Sequence, residues 1–390
     1  MSCIIWGAGK GGRRAQKAVL ELGYTIECFV DSYIKNSDMI SGYRIIHPQD
    51  LEKEIKEADV DLIIIGVMKG QFVSEIERYL AQNLSVPIEI KTVSQIYDIY
   101  REVCLKQKLK DLSYKWNIYF NEQAEQWIDS LKGEVRFHLE ECAQERGRYH
   151  EGYLSKCVNK QFGDDTELMY LRDYMNDGSV VMDLGCGLMT KYGTKLPNGD
   201  NIRLIPVDPL AYFYNKINAK YANDIVVKDK ESIFGLFEFI ADFFDEGFCD
   251  VIVINNALDH GIDPYKSILE SLYIIREGGI LFLNHRPCEA LYEAYDGLHK
   301  WNIDATDNGD FIIWNEYNAV NVSQKLSDIA EIKVYKSTDI SWELSQIKIT
   351  IIKKKQFLLS DYIDIGKESQ MLAFLLGRIM SKWSEDGLCI

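Results

Sequence analysis

Val180-Val-Met-Asp-Leu-Gly-Cys-Gly187 decides the fold. An apolar run ends in an acid, Asp183, and breaks at once into a glycine turn, Gly185-Cys186-Gly187. The next apolar run, Asn201 to Val207, closes on a second acid, Asp208. Short continuous apolar runs separated by helical stretches are strands of a parallel sheet covered on both faces, and such sheets bind ligands at the carboxyl ends of their strands. Further strands are expected at Phe234 to Phe237, Val251 to Asn255 and Ile280 to Asn284. Residues 330–338 and 342–353 read as a hairpin that adds antiparallel strands to one edge.

The first hundred residues repeat the device. Cys3 to Trp6 is a strand, Gly7, Gly9 and Gly12 form GxGxxG, Arg13 to Leu22 is a helix, and Thr25 to Val30 is a strand ending at Asp31. Glycines there allow a tight turn and close approach to helix N-terminal amides, and the acid can accept ribose hydroxyls. Leu51 to Ala58, Leu62 to Val67, Phe72 to Gln82 and Pro87 to Ile90 continue the alternation. NAD or a nucleotide-sugar is the ligand such a turn would take; a turn used only for helix packing remains open.

Between the two halves strand signals vanish. Lys106 to Leu131 carries apolar and aromatic residues at helical spacing, and Val135 to Gln144 follows Gly133 as a second helix; the stripe reads as core packing. Met371, Leu372, Leu375, Leu376, Ile379 and Met380 suggest a terminal amphipathic helix docked on a domain or on a second copy in a homodimer. The expected organisation is a nucleotide-binding Rossmann-like domain at 1–98, a helical connector at 99–160, a second α/β domain at 161–356 and the amphipathic tail at 357–390.

Composition limits the partners. Among 390 residues, 44 Lys and Arg face 60 Asp and Glu, a formal charge of −16, which disfavours nucleic acid and anionic lipid and favours a small-molecule substrate. Nine cysteines, several within apolar strands, read as reduced and buried. Without an apolar span long enough for a bilayer, a soluble cytoplasmic protein is expected.

The second turn differs chemically from a dinucleotide turn. An acid at the first strand end suits a cationic, amine-bearing ligand without pyrophosphate, and S-adenosylmethionine fits: Asp183 near its ammonium, the Gly185 and Gly187 backbone against it, Asp208 on the ribose. With these residues in view, the chain resembles class I S-adenosylmethionine-dependent methyltransferases over about residues 165 to 355. DLGCG (Asp183 to Gly187), VDP (Val207 to Pro209), FCDVIVINNALDHGIDP (residues 248–264) and REGGILFL (Arg276 to Leu283) occur in family order, and the closing hairpin is similar to the family's antiparallel seventh strand. The resemblance implies Cys186, Pro209, Glu238, Asn255 and Asn256 beside the same cofactor. VDPLAYFY, NALDH and YDGLHKWN further resemble methyltransferases of bacterial glycan and nucleotide-sugar modification, and GAGKGG, FVD and GYRIIHPQDL resemble small Rossmann-like modules joined to such enzymes.

Methyl transfer to a hydroxyl needs alignment and a base near neutral pKa. Of six histidines, His299, in the insertion after the fifth strand, and His260, after the fourth, are the candidate bases, with His285 a third choice. Asp259, His260, Asp263, Asn284 and His285 have metal-ligand chemistry without diagnostic spacing, and strand-end Asp and Asn form turns anyway, so no metal is expected. Tyr214, Tyr295, Trp301 and Trp314 are candidates for stacking on a sugar or base. Arg13 and Arg14 are the cations placed to meet an anionic nucleotide at the first turn. The alternatives are an NAD-dependent oxidoreductase or epimerase run from the first domain, or a non-catalytic nucleotide-binding protein. The oxidoreductase lacks a Tyr followed four residues later by Lys within residues 1–100; Tyr212 and Lys216 have that spacing but follow Asp208.

Overall fold

The computed structural model describes residues 1–33, 39–68, 70–108, 120–143, 161–162, 169–221, 230–337, 345–363, 370–372 and 374–379. The chain divides into two units. Unit 1 is Met1–Leu112 with Leu291–Ala294 and Ser337–Ser345; unit 2 is Ser113–Ala290, Tyr295–Lys336 and Gln346–Ile390. Both are mixed α/β with sheets dominated by parallel pairing.

Unit 1 places β1 (Ser2–Trp6), β2 (Thr25–Val30), β3 (Met39–Ile40), β4 (Tyr43–Ile46), β5 (Leu62–Ile65) and β6 (Glu89–Thr92) in one sheet, ordered β3-β4-β2-β1-β5-β6. All its pairs are parallel except β3 with β4. Helices α1 (Lys10–Glu21), α2 (Leu51–Ala58), α3 (Gly70–Asn83) and α4 (Val93–Lys108) connect or follow the strands. The continuous run Leu62–Ile65 is fully buried, as a central parallel strand requires. Ile4, Trp6, Val30, Ile46, Ile63 and Ile65 meet Leu51, Ile55, Val73 and Leu80 of the covering helices.

Unit 2 begins in the described residues with α5 (Phe120–Ala143). Its seven-stranded sheet comprises β7 (Val180–Leu184), β8 (Arg203–Asp208), β9 (Ile233–Phe234), β10 (Cys249–Asn255), β11 (Ile275–His285), β15 (Ala330–Ser337) and β16 (Gln346–Lys353). The order is β15-β16-β11-β10-β7-β8-β9. Five neighbouring strands run parallel and β16 pairs antiparallel with β11, Ile280 opposite Ile352. The strand order reverses at β7, which has β8 on one side and β10 on the other. A crevice therefore opens at the carboxyl end of β7, where the Gly185 turn lies. Helices α6 (Ala211–Tyr221) and α7 (Pro264–Ile274) follow β8 and β10.

Several elements differ from expectation. The third strand is only β9, because Phe237 to Asp242 coils into a 3-10 helix, and Glu238 lies in that helix rather than at a strand end. Gly133 does not break α5; a Cβ there would meet nothing within 4 Å, and the helix runs through it. The expected 99–160 connector is divided: α4 falls in unit 1, α5 in unit 2, and residues 109–119 and 144–160 lie outside the described residues. A small antiparallel sheet, β12 (Asn302–Ala305), β13 (Phe311–Trp314) and β14 (Ala319–Asn321), fills the insertion after β11.

The apolar face of α5 (Ala124, Trp127, Ile128, Leu131, Val135) packs on Leu188, Leu210, Phe213 and Ile217. Leu375 and Ile379 join that core, with Met371, Leu372 and Leu376 against it, while Met380 lies outside the described residues. Seven cysteines among the described residues are free thiols, and no described helix is long and apolar enough to cross a membrane.

Candidate functional site

A cavity of about 370 Å³ opens at the reversal point of unit 2. The β7 turn forms its floor. Gly185 and Cys186 donate their amides to the Val207 carbonyl, and Gly187 donates to Asp208 Oδ2 at 2.9 Å. Asp208 Oδ1 accepts from Leu210 at 2.8 Å, so two backbone N–H groups orient the carboxylate. Gly185 (φ +80°) and Gly187 (φ +69°) need left-handed backbone but are crowded differently. A Cβ on Gly185 would come within 2.5 Å of Ala257 Cβ, whereas one on Gly187 would meet nothing within 4 Å.

Of the residues singled out for a cofactor, Gly185, Cys186, Gly187, Asp208, Pro209, Glu238 and Asn256 line this cavity. Asp183 and Asn255 are not among its lining residues. Asp183 turns inward, accepting the Thr190 hydroxyl at 2.5 Å, and Asn255 accepts the Asn284 side-chain amide at 2.9 Å. Glu238 braces a loop: its Oε1 accepts the Ile262 and Asp263 amides at 2.6 and 3.0 Å. Asn256 takes a left-handed conformation (φ 52°) and accepts the Arg286 amide at 3.2 Å. Burial pushes the acids up, Asp183 to about 6 and both Asp208 and Glu238 to about 7.

The opposite wall comes from α5, which sequence reasoning assigned only to packing. Trp127, Leu131, Glu134 and His138 face the cavity, and Glu134 and His138, one helical turn apart, meet at 3.0 Å. The Trp127 indole N–H donates to the His260 carbonyl at 2.8 Å, which ties α5 to the loop after β10. Tyr214 also lines this cavity. A signal was present in the pattern Trp127, Leu131, Glu134, His138, whose spacing puts polar groups on an otherwise apolar face.

The candidate bases His299 and His260 pack together beside Asp259. His299 Nδ1 is 2.8 Å from Asp259 Oδ2 and 3.2 Å from His260 Nε2, and the two imidazoles meet edge to face at 4.6 Å. His260 lines the cavity, whereas His299 is not among the lining residues of either cavity, although its neighbour Leu298 lines this one. Burial alone would raise Asp259, but the facing His260 and His299 imidazoles outweigh it and hold the carboxyl well below the usual range. Burial lowers His260 and pushes His285 down to about 4. His285 Nδ1 stands 3.8 Å from Asp259 Oδ1. Asp263 serves instead as the N-cap of α7, accepting the Lys266 amide.

A second cavity of about 140 Å³ shares Trp127 and Gly261 with the first and is lined also by Tyr295, Lys300, Trp301 and Asn315. Of the aromatic candidates, Trp301 and Tyr295 face it. Trp314 belongs to the core, its indole donating to Asp304 at 3.2 Å. Tyr212 is exposed and Lys216 lies over its ring at 4.6 Å, a surface cation-π pair.

In unit 1, Asp31 Oδ2 accepts the Ala8 amide at 3.0 Å and Oδ1 accepts the Tyr33 amide at 2.9 Å, so this acid ties down its own glycine turn. A Cβ on Gly12 would strike the Gly7 carbonyl and one on Gly11 the Gly66 carbonyl, while Gly9 is open. Gly11 and Gly66, which the GxGxxG pattern does not single out, thus share the close packing of α1 on the strand ends. Arg14 is buried and paired with Glu293, while Arg13 remains exposed.

Residues 1–89 match the family model described as C2185-like, N-terminal. No curated protein matches the chain. Among solved structures, it is similar to the YcgJ protein of Bacillus subtilis (13% identity, TM-score 0.33, covering 48% of this chain and 97% of that one). It is similar to an S-adenosylmethionine-dependent methyltransferase of Methanosarcina mazei (15% identity, TM-score 0.31, 48% and 98%). It is also similar to the N-methyltransferase NodS of Bradyrhizobium japonicum in complex with S-adenosylhomocysteine (10% identity, TM-score 0.35, 57% and 98%).

Proposed function

We propose that unit 2 is an S-adenosylmethionine-dependent methyltransferase acting on a hydroxyl of a sugar, nucleotide-sugar or glycan precursor, and that unit 1 is a nucleotide-binding module. The observation that carries this reading is the pairing of Asp208 with the Gly187 turn at the base of the 370 Å³ cavity. A buried carboxylate fixed by two amides suits vicinal ribose hydroxyls, and the open space at the Gly187 α-carbon suits a ligand pressed against backbone. The cavity also falls within the roughly 300–1,000 Å³ typical of small-ligand sites. Asp208, the Gly185 to Gly187 backbone, Pro209 and Asn256 would hold the cofactor. Asp183 would act behind them by fixing Thr190.

S-adenosylmethionine, when bound, supplies an electrophilic methyl group whose sulfur departs as a neutral thioether, so the leaving group needs no acid. The chain's own task is then to align the acceptor and take its proton. With its hydrogen on Nδ1, His299 would donate to Asp259 at 2.8 Å, which would leave Nε2 as its basic atom and stabilise the imidazolium formed there. His260 lines the cavity beside it. The adjoining cavity, with Trp301, Tyr295, Lys300 and Asn315, offers the aromatic, cationic and amide groups that a hydroxylated, anionic acceptor would use. Calorimetry tests the reading: the full chain should bind S-adenosylmethionine at one site. Absent binding, with NAD bound instead, would return the function to an oxidoreductase run from unit 1.

A further inference from the structure

We propose that Asp259, His260 and His299 form a binding site for a first-row divalent transition-metal ion. Cation binding stands on these atoms alone; the use of the ion to hold an acceptor hydroxyl rests on the methyltransferase reading.

Three donor atoms converge on one point. Asp259 Oδ2, His299 Nδ1 and His260 Nε2 stand 2.8, 3.2 and 3.7 Å apart. An ion at roughly 2.1 Å from each of three ligands on one face holds them about 3.0–3.4 Å from one another, so the observed triangle needs little adjustment. Hydrogen bonding explains the triangle less well. His299 Nδ1 is within hydrogen-bond distance of both other atoms, yet one ring nitrogen cannot donate to Asp259 and at the same time accept from His260, so one of the two contacts is left without a hydrogen bond of its own. Among the described residues this is the group of His, Cys, Asp and Glu whose ligand atoms lie close enough to share an ion.

Buried polar atoms nearby give a second, independent sign. Asp259 Oδ1 and both ring nitrogens of His285 are buried and make no hydrogen bond, although Asp259 is 1% and His285 2% exposed. Glu289 Oε2 shares this state on the following turn. A hydrated cation on Asp259 Oδ2 supplies water hydrogens and lone pairs to such groups, which the protein alone leaves unsatisfied.

The donor set selects the ion. Two imidazoles and one carboxylate suit zinc, iron, manganese, cobalt or nickel, whereas magnesium and calcium favour all-oxygen sites. Three protein ligands leave coordination positions open, and His260 brings the site to the cavity that it lines. An acceptor hydroxyl bound there would lose its proton more readily, because the cation stabilises the alkoxide. In that state His299 Nδ1 is a ligand and its Nε2 carries the ring hydrogen, so the hydroxyl's proton passes to solvent water and the cation takes over the part that the metal-free reading gives to the imidazole.

The test uses the untagged full-length chain, stripped with a chelator and titrated with Co²⁺ and Zn²⁺ by calorimetry and by cobalt absorption. The expected result is one ion per chain with a dissociation constant at or below about 10 μM. His299→Ala and Asp259→Asn should each weaken it by about tenfold or more, and His47→Ala should leave it unchanged. His260→Gln, checked by its melting curve, guards against a variant that merely misfolds. No binding, or equal binding by wild type, His260→Gln and His299→Ala, overturns the site. S-adenosylmethionine binding by the same samples reads the other proposal separately. A chain that binds the cofactor but no cation overturns this site alone; one that binds the cation without the cofactor supports the site and overturns its catalytic use.

Discussion

The Gly187 amide donates to Asp208 Oδ2 at 2.9 Å, so the turn after β7 and the acid closing β8 form one hydrogen-bonded unit. Asp208→Ala removes that bond, the Leu210 bond and, on the proposed methyltransferase reading, the acceptor for the ribose hydroxyls. Hydrogen bonds to a charged group contribute about 1.5–3 kcal/mol each, so cofactor affinity should fall by about a hundredfold or more. Asp31→Ala should leave that affinity unchanged, because Asp31 holds the turn of unit 1. Calorimetry with S-adenosylmethionine on both variants checks the pair; retained affinity in Asp208→Ala would place the ribose acid elsewhere.

The same carboxylate gives the site a pH signature. Burial raises Asp208 to about 7, above its unfolded value of about 3.9. The free protein therefore binds a proton there more tightly when folded, and this group's contribution to stability declines as pH rises through the interval between those values. A ligand that donates hydroxyls to the ionised carboxylate should bind more tightly as pH rises from about 6 to about 8, releasing a proton. Melting curves with and without S-adenosylmethionine should show the ligand-induced shift growing over that range in wild type and staying flat in Asp208→Asn. His285, lowered to about 4, acts in the opposite sense: its contribution to stability is lost as pH falls from about 6.5 to about 4, where the unfolded chain binds the proton and the fold does not. The comparison between variants, not the raw curve, isolates Asp208.

Gly185 and Gly187 separate folding from binding. Both have positive φ, so alanine at either costs roughly 1–2 kcal/mol in backbone strain. At Gly185 the added carbon also collides with Ala257 Cβ and with Phe237 Cζ at 2.7 Å, and total destabilisation should reach about 3 kcal/mol. At Gly187 it enters open space beside the cavity. Gly187→Ala should thus melt only slightly lower than wild type but lose most cofactor affinity, while Gly185→Ala should be impaired first in stability. Denaturant unfolding paired with calorimetry distinguishes them; equal profiles would contradict the cavity geometry.

The strands around these glycines are legible in the sequence because both faces of a buried parallel strand must be apolar, and residues 251–254 and 280–283 show such runs. The brevity of β9 is not. Phe237 and Phe239 have strand-like composition, but Glu238 between them turns to hold the Ile262 and Asp263 amides, a contact invisible to local pattern. The sheet β12–β14 hides for a similar reason, its three- and four-residue strands being too short to show a period. At the site, Asp208 and the glycines are readable from position, whereas the approach of His299 to Asp259 depends on a long insertion folding back. The entry of Trp127 and Glu134 into the cavity depends on how α5 docks, which its own spacing leaves undecided between core and site. Asp183 is the instructive case. Its place at the strand end suggests a ligand contact, yet its carboxylate accepts the Thr190 hydroxyl and is not among the residues that line the cavity.

Lys266 provides a test of how the loop carrying the histidines is held. Its side chain is fully buried on α7, its ammonium donates to Glu270 Oε1 at 2.8 Å and to the Glu238 carbonyl, and it lies over the Phe239 ring at 4.3 Å. A buried charge pair gives little net stability, but removing one partner strands the other and costs about 3–5 kcal/mol. Lys266→Ala should cost that much, and the double variant Lys266→Met with Glu270→Leu should recover most of it. Glu238 is the link to the site: its carbonyl accepts from Lys266 and its carboxylate holds the amides of Ile262 and Asp263, next to His260. The recovered double variant should therefore still turn over more slowly than wild type, because the 3-10 helix has lost the cation that anchors its carbonyl. Urea unfolding of both variants, with turnover measured on the double variant, checks the argument. A double variant as unstable as Lys266→Ala, or one with full activity, would show that this lysine does not position the loop.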